Sequence, residues 1–178
     1  MLDTQTNKQV GTITMGGEVG NTQYDPVSHT IYACVQTRNE IVQIDPVKQT
    51  ITARYPLPGG QHPHGFYIDD QRQKAYIACQ GDNKLLVFDM KSHAVERVFP
   101  VGGDPDVLAF DRGLARLYVA CEAGAVSIFQ VQNGQLGKLA DESVGANCHT
   151  MSVDQLTHHI YFPLKNVNGK PVLRIMQP

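Results

Sequence analysis

Four stretches of this chain lie over one another: GGEVGNTQYDPVSHTIYAC, GQHPHGFYIDDQRQKAYIAC, GGDPDVLAFDRGLARLYVAC and GANCHTMSVDQLTHHIYFPL. They share Gly16, Gly60, Gly102 and Gly145. Nine residues on stand Asp25, Asp69, Asp111 and Asp154, and seven further Tyr32, Tyr76, Tyr118 and Tyr161. The period is 44, 42 and then 43 residues. A fixed period of this length means that one supersecondary unit is stacked on copies of itself.

Each shared residue has a physical task. The glycine is expected at a turn that needs positive φ. The aspartate closes a strand and bonds backbone two residues on, which starts a tight turn. The tyrosine lies in a β-branched and aromatic run that reads as a strand. Two more strand-like runs complete each unit: IVQID with TITARYPL, LLVFDM with ERVFPV, and VSIFQV with the weaker GKLADES. No stretch has sustained helical periodicity. Four short strands in each ~43-residue unit predict an all-β β-propeller of four four-stranded blades. A β-sandwich also has many short strands, but it does not repeat the same residues at a fixed period.

Residues 1–178 read as a single propeller domain, with repeats at roughly 1–41, 42–85, 86–126 and 127–178. The chain starts at the turn between a blade's third and fourth strands, since MLDTQTNK matches QIDPVKQT. It ends at VLRIMQP, which matches a third strand. The N-terminal run QVGTITM is therefore expected to be the fourth strand that closes the last blade, removing an open sheet edge. Three assemblies fit this phase: a self-closed four-bladed ring, a homodimer that shares blades, or part of a larger propeller.

The 178 residues are 42% hydrophobic and 18% charged, with a net charge of −2. No basic cluster offers a nucleic-acid footprint, and no apolar run has the length of a membrane span. The N-terminus lacks the basic start and apolar core of a signal peptide. Cys34, Cys79, Cys121 and Cys148 show no metal-binding spacing. The first three lie in apolar strand runs, where a thiol is expected to act as a small buried hydrophobe. No nucleophile elbow, Walker loop or dinucleotide fingerprint occurs, so no catalytic residue is assigned.

In the propeller register, Glu18, His62, Asp104 and Asn147 form one ring at the loop entering each innermost strand. Two positions later come Gly20, His64, Asp106 and His149. The first ring is assigned to ligand binding. The second offers His64, Asp106 and His149 as ligands for one divalent metal ion, with an open place at Gly20. Two imidazoles and a carboxylate suit Fe(II) or Zn(II). The same polar residues are also what a wet channel mouth carries without any ligand. His29, His93, His158 and His159 read as solvated turn residues.

The runs LDTQTNKQVGTITMGG, KAYIACQGDNKLLVFDMKSHAVERVFPVGGDPDVLAFD, RLYVACEAGAVSIF and HTMSVDQLTHHIYFPLKN resemble the YVTN-repeat, YncE-like family of bacterial β-propellers. That resemblance implies a seven-bladed fold and a periplasmic or secreted location; the missing leader leaves the cytoplasm as the alternative. Cys79 and Cys121 stand where the family's strand ends in asparagine. For function, the reading is a non-catalytic binding or scaffold module whose mouth loops take a small ligand, ion or protein partner. The alternative is a metal-dependent, lactonase-like hydrolase.

Overall fold

The computed structural model describes residues 1–178 as seventeen strands and one short 3₁₀ turn at Gln36–Arg38. The chain opens with β1 (Leu2–Asp3) and β2 (Lys8–Gln9), a small hairpin. The first blade is β3 (Val19–Asp25), β4 (Thr30–Val35), β5 (Glu40–Asp45) and β6 (Thr50–Pro56). The second is β7 (Pro63–Asp69), β8 (Lys74–Cys79), β9 (Lys84–Asp89) and β10 (Ala94–Pro100). The third is β11 (Pro105–Asp111), β12 (Arg116–Cys121), β13 (Ala125–Gln132) and β14 (Gln135–Ser143). The fourth has three strands: β15 (Ser152–Val153), β16 (Ile160–Val167) and β17 (Lys170–Met176). Every sheet is an antiparallel meander in chain order. The sheets lie at 19–56, 63–100, 105–143 and 152–176, so the first three blades straddle the repeat boundaries expected from sequence, and the fourth falls within the last repeat.

The repeated residues do what their chemistry requires. Asp25 accepts from Val27 N–H at 3.0 Å, Asp111 from Leu114 N–H at 3.0 Å and Asp154 from Leu156 N–H at 2.8 Å, each pinning the turn after an innermost strand. Tyr32, Tyr76 and Tyr118 are 1%, 2% and 1% exposed, each turned toward the next blade. The glycines divide. Gly16 and Gly145 have φ of +81° and +105°, as expected. Gly60 and Gly102 do not; there a Cβ would run into the sulfurs of Cys79 and Cys121, so the constraint is close packing.

The core is segmented by junction. One cluster joins the first two blades through Tyr32, Ile41, Ile77 and Phe88. A second joins blades two and three around Tyr76, Leu85, Phe110 and Phe129. A third joins three and four around Tyr118, Val126, Ile160 and Phe162. A smaller cluster, Ala33, Val35, Val42 and Ile44, lies on the free face of the first blade, and Ile13 and Met15 pack on it. Side-chain amides stitch the innermost strands together. Gln23 donates to Phe66 O at 2.8 Å and accepts from Ile68 N–H at 2.8 Å; Gln155 does the same to Phe110 O and Arg112 N–H.

The fourth blade is not closed by the N-terminal strand. β17 pairs only with β16, and β2 only with β1. Residues 11–15 lie on the first blade, where the Arg54 guanidinium donates to Met15 O at 3.0 Å. Ile13 and Met15 find their apolar surface there, and no hydrophobic cluster spans the fourth and first blades. Four blades joined by three cores form an open arc.

Candidate functional site

The ladder between the two innermost strands breaks at the same place in each of the first three blades: between Val19 and Thr22, Pro63 and Phe66, and Pro105 and Val107. A break of this kind frees a residue from the pairing and re-aims its side chain. Gly20, His64 and Asp106 occupy these breaks, and His149 precedes the short β15. The strands are unusually close here. A Cβ on Gly20 would meet the backbone of Pro63 and His64 at 3.0–3.1 Å, and one on Gly65 would collide with Asp106 O. The open place expected at Gly20 is thus filled by the neighbouring strand, because only glycine lets the two backbones approach.

This closeness brings the second ring together. His64 Nε2 lies 3.0 Å from Asp106 Oδ1, and His149 Nδ1 lies 3.8 Å from Asp106 Oδ2. A fourth residue, unanticipated from sequence, joins them: Glu122 Oε1 is 2.6 Å from His149 Nδ1. One ligand atom each from Asp106, Glu122 and His149 falls within 4.8 Å of the other two. That is the span of two metal–oxygen bonds of about 2.1–2.4 Å. His64 stands beside the group as the hydrogen-bond partner of Asp106. Its Nδ1 is buried without any partner.

Glu122 follows β12 directly, in the turn at the same mouth. Its N–H donates to Asp104 O at 2.8 Å, as Gln36 donates to Glu18 O at 2.8 Å and Gln80 to His62 O at 3.0 Å. The position eleven residues after each shared aspartate (Gln36, Gln80, Glu122, Lys165) therefore belongs to the mouth, and the repeat register could have found it.

The first ring behaves differently. His62, Asp104 and Asn147 take left-handed φ of 52°, 56° and 61°. Their side chains, and that of Glu18, are exposed and form no hydrogen bond or ion pair with one another. What these positions share is backbone work: Asn39 Oδ1 accepts from His62 N–H at 2.8 Å and Asn83 Oδ1 from Asp104 N–H at 2.9 Å, each crossing a blade junction.

The field at the mouth is negative. The hydrogen bond to Asp106 holds the His64 imidazole above its usual protonation range against the opposing effect of burial, with help from Glu122 and Glu18. Burial pushes the Glu122 carboxyl up. Asp104 and Asp106 add to that push, while His149 opposes it. A metal or other cation would relieve this crowding of carboxylates.

The remaining histidines are more engaged than turn residues need be. His158 Nδ1 lies 2.8 Å from Asp111 Oδ2, a fully buried carboxylate of the neighbouring blade. His93 stacks on Tyr55 at 4.2 Å, and His29 bonds the Tyr24 hydroxyl at 3.0 Å. Cys148 is buried and His149 exposed, so the adjacent pair does not meet as a thiol–imidazole couple. Burial raises all four thiols, Cys79 to about 12 and Cys121 to about 11. A disulfide reagent near pH ~8 should therefore leave the native thiols untouched and titrate all four only after denaturation; rapid reaction of any one in the folded chain would contradict its burial.

No protein-family model and no curated protein sequence matches the chain. Solved structures do. Hydrazine synthase of Kuenenia stuttgartiensis superposes with a TM-score of 0.77 at 14% identity, over 92% of this chain and 49% of that one. A Bacteroides uniformis protein provisionally described as a 6-phosphogluconolactonase gives 0.74 at 15%, over 88% and 49%. A Desulfotomaculum acetoxidans protein of unknown function gives 0.75 at 15%, over 99% and 67%. The fold is a β-propeller. At these identities the likeness concerns architecture alone, and the chain spans about half the length of the first two.

Proposed function

We propose that this chain is a non-catalytic binding module of a β-propeller, whose channel mouth holds one divalent cation between Asp106, Glu122 and His149. The observation that carries this reading is the convergence of those three side chains from the ladder break in β11, the turn after β12 and the segment before β15, with His64 hydrogen-bonded to Asp106. One imidazole and two carboxylates favour Zn(II), Mn(II) or Fe(II) over a purely oxygen-seeking ion. Such an ion would leave coordination positions toward the channel for a small ligand or an acidic group of a protein partner, with Glu18, His62, Asp104 and Asn147 around the rim.

The repeat motifs support placement in the YVTN-repeat, YncE-like group, and with it a periplasmic or secreted setting. The charge of −2 and the lack of a basic cluster speak against nucleic acid, and no helix is long and apolar enough to cross a membrane.

Calorimetric titration of chelator-treated protein with Zn²⁺, Mn²⁺ and Ca²⁺ tests the site. One ion per chain is expected, with Ca²⁺ weakest; absence of saturable binding for all three would retire it. A second reading follows from the same geometry. Three protein ligands leave open positions, as hydrolytic metal centres do, and one architectural relative carries a lactonase description. Lactone hydrolysis by the metal-loaded chain that vanishes in Glu122→Gln would favour it over pure binding.

A further inference from the structure

We propose that Asn133 is a self-modifying position, whose side-chain amide converts to a carboxylate that pairs with Arg97 across the cleft between the second and third blades. The hairpin turns on the outer side of the blades are built in two ways. In the first two blades Asp45 and Asp89 cap the turn, accepting from Val47 and Lys48 N–H and from Lys91 and Ser92 N–H. The third and fourth blades use a two-residue Asn-Gly turn instead. Asn133 and Gly134 have φ of 50° and 76°, and Asn168 and Gly169 have 53° and 83°. Two consecutive positive φ values define the tight hairpin turn that Asn-Gly favours.

The same dipeptide carries a reaction. The Gly134 nitrogen loses its proton and attacks Cγ of Asn133, closing a succinimide ring as ammonia leaves. Water then opens the ring at either carbonyl, giving aspartate or a β-linked isoaspartate. Glycine leaves the attacking nitrogen uncrowded, since it has no Cβ. Both residues are exposed, and neither the Asn133 side chain nor the Gly134 N–H has a hydrogen-bond partner. The turn must open for Cγ to reach the nitrogen, and the pair at its base, Gln132 with Gln135, is itself exposed. Asn168 provides the comparison within the same molecule. It is equally exposed, yet Gly169 N–H donates to Asn166 Oδ1 at 2.7 Å. That bond turns the nitrogen away from Cγ and keeps its proton, so the second Asn-Gly pair is protected.

The product has a destination. Asn133 and Gln135 line a cleft of about 490 Å³ together with Lys74, Glu96 and Arg97 of the second blade. Lys74 is already paired, with Asp89 and Glu96. Arg97 is not: its guanidinium donates to Leu136 O at 3.2 Å and lies over the Phe99 ring, with no carboxylate beside it. A carboxylate at position 133 brings it a counter-charge from the neighbouring blade, where the original amide brings none. Aspartate keeps the hairpin intact. Isoaspartate lengthens the backbone by one carbon and disturbs the register that Gln132 and Gln135 begin.

Incubation of the folded chain at mildly alkaline pH, followed by peptide mass mapping, tests this. Asn133 should convert first, read as the mass gained when an amide becomes an acid, with Asn168 severalfold slower. In denaturant, where the Asn166 bond is lost, the two should convert at similar rates. Asn166→Ala should speed the reaction at Asn168 in the folded chain and leave Asn133 unchanged. Asn133→Asp makes one product directly, and Arg97→Gln should lower its melting temperature more than it lowers that of the unmodified chain. Asn168 keeping pace with Asn133 in the folded chain overturns the proposal, as does an Asn133 that survives while the denatured chain converts. Equal losses on Arg97→Gln in the two backgrounds would overturn the pairing.

Discussion

Glu122→Gln is expected to abolish saturable cation binding while making the cation-free fold more stable. The carboxyl sits in a pocket where burial and two neighbouring carboxylates disfavour its charge, so a neutral amide of the same shape removes a penalty. Asp106→Asn should also abolish binding, but without the gain, because it removes the negative charge that strengthens the bond from His64. His64→Ala, acting behind a ligand, should cost about ten- to a hundredfold in affinity. A structural cluster would behave in reverse, with Glu122→Gln destabilising the fold. The pH dependence has a definite sign. Both Glu122 and His64 have raised protonation ranges in the fold, from ordinary values of 4.5 and 6.5. The folded, cation-free chain thus holds protons that the unfolded chain releases, and these two groups make it lose stability as pH rises through those raised ranges. Thermal melts across pH, with and without the cation, measure this directly; a cation-free stability that climbs through the His64 range would contradict the assignment.

The second large effect lies at the opposite end of the strands. Asp111→Ala should lower stability by about 3 kcal/mol, because the substitution strands His158 and the Leu114 N–H at a buried site. For a chain of this size that is a melting shift of about 6–12 °C. Asp154→Ala, at the same repeat position but in a more open turn, should cost much less. Equal losses in the two variants would show that the aspartate acts through its turn alone, with no share for the contact between blades.

The blade architecture was legible because its determinants are local and repeated: turn aspartates, buried tyrosines and glycines recur at fixed spacing. The convergence of His64, Asp106 and His149 was legible for the same reason, since a shared register places them at equivalent positions at one mouth, although His64 and Asp106 prove to lie at breaks within β7 and β11 rather than in loops. Glu122 was not, because it belongs to a different turn and has glutamine at the matching positions 36 and 80. The His158–Asp111 pair was missed because it crosses between blades, where one repeat does not show what its neighbour presents. The N-terminal run QVGTITM was expected to be the fourth strand of the last blade; in the structure only Lys8 and Gln9 pair, with β1, and residues 11–15 lie unpaired on the first blade. Pattern alone carries no such information.

One asymmetry among the junctions has a consequence of its own. Asn39 and Asn83 clamp the first two, but the third turn has Gly124, with φ of +112° and no side chain to reach across. The seam between the third and fourth blades therefore lacks that clamp, and is tied instead at the opposite rim, by His158 to Asp111 and by Gln155 to Phe110 O and Arg112 N–H. The cluster of Asp106, Glu122 and His149 straddles that same seam. An ion held by it would supply at the mouth the tie that asparagine provides in the other two junctions, so occupancy there and rigidity of the last blade would rise and fall as one.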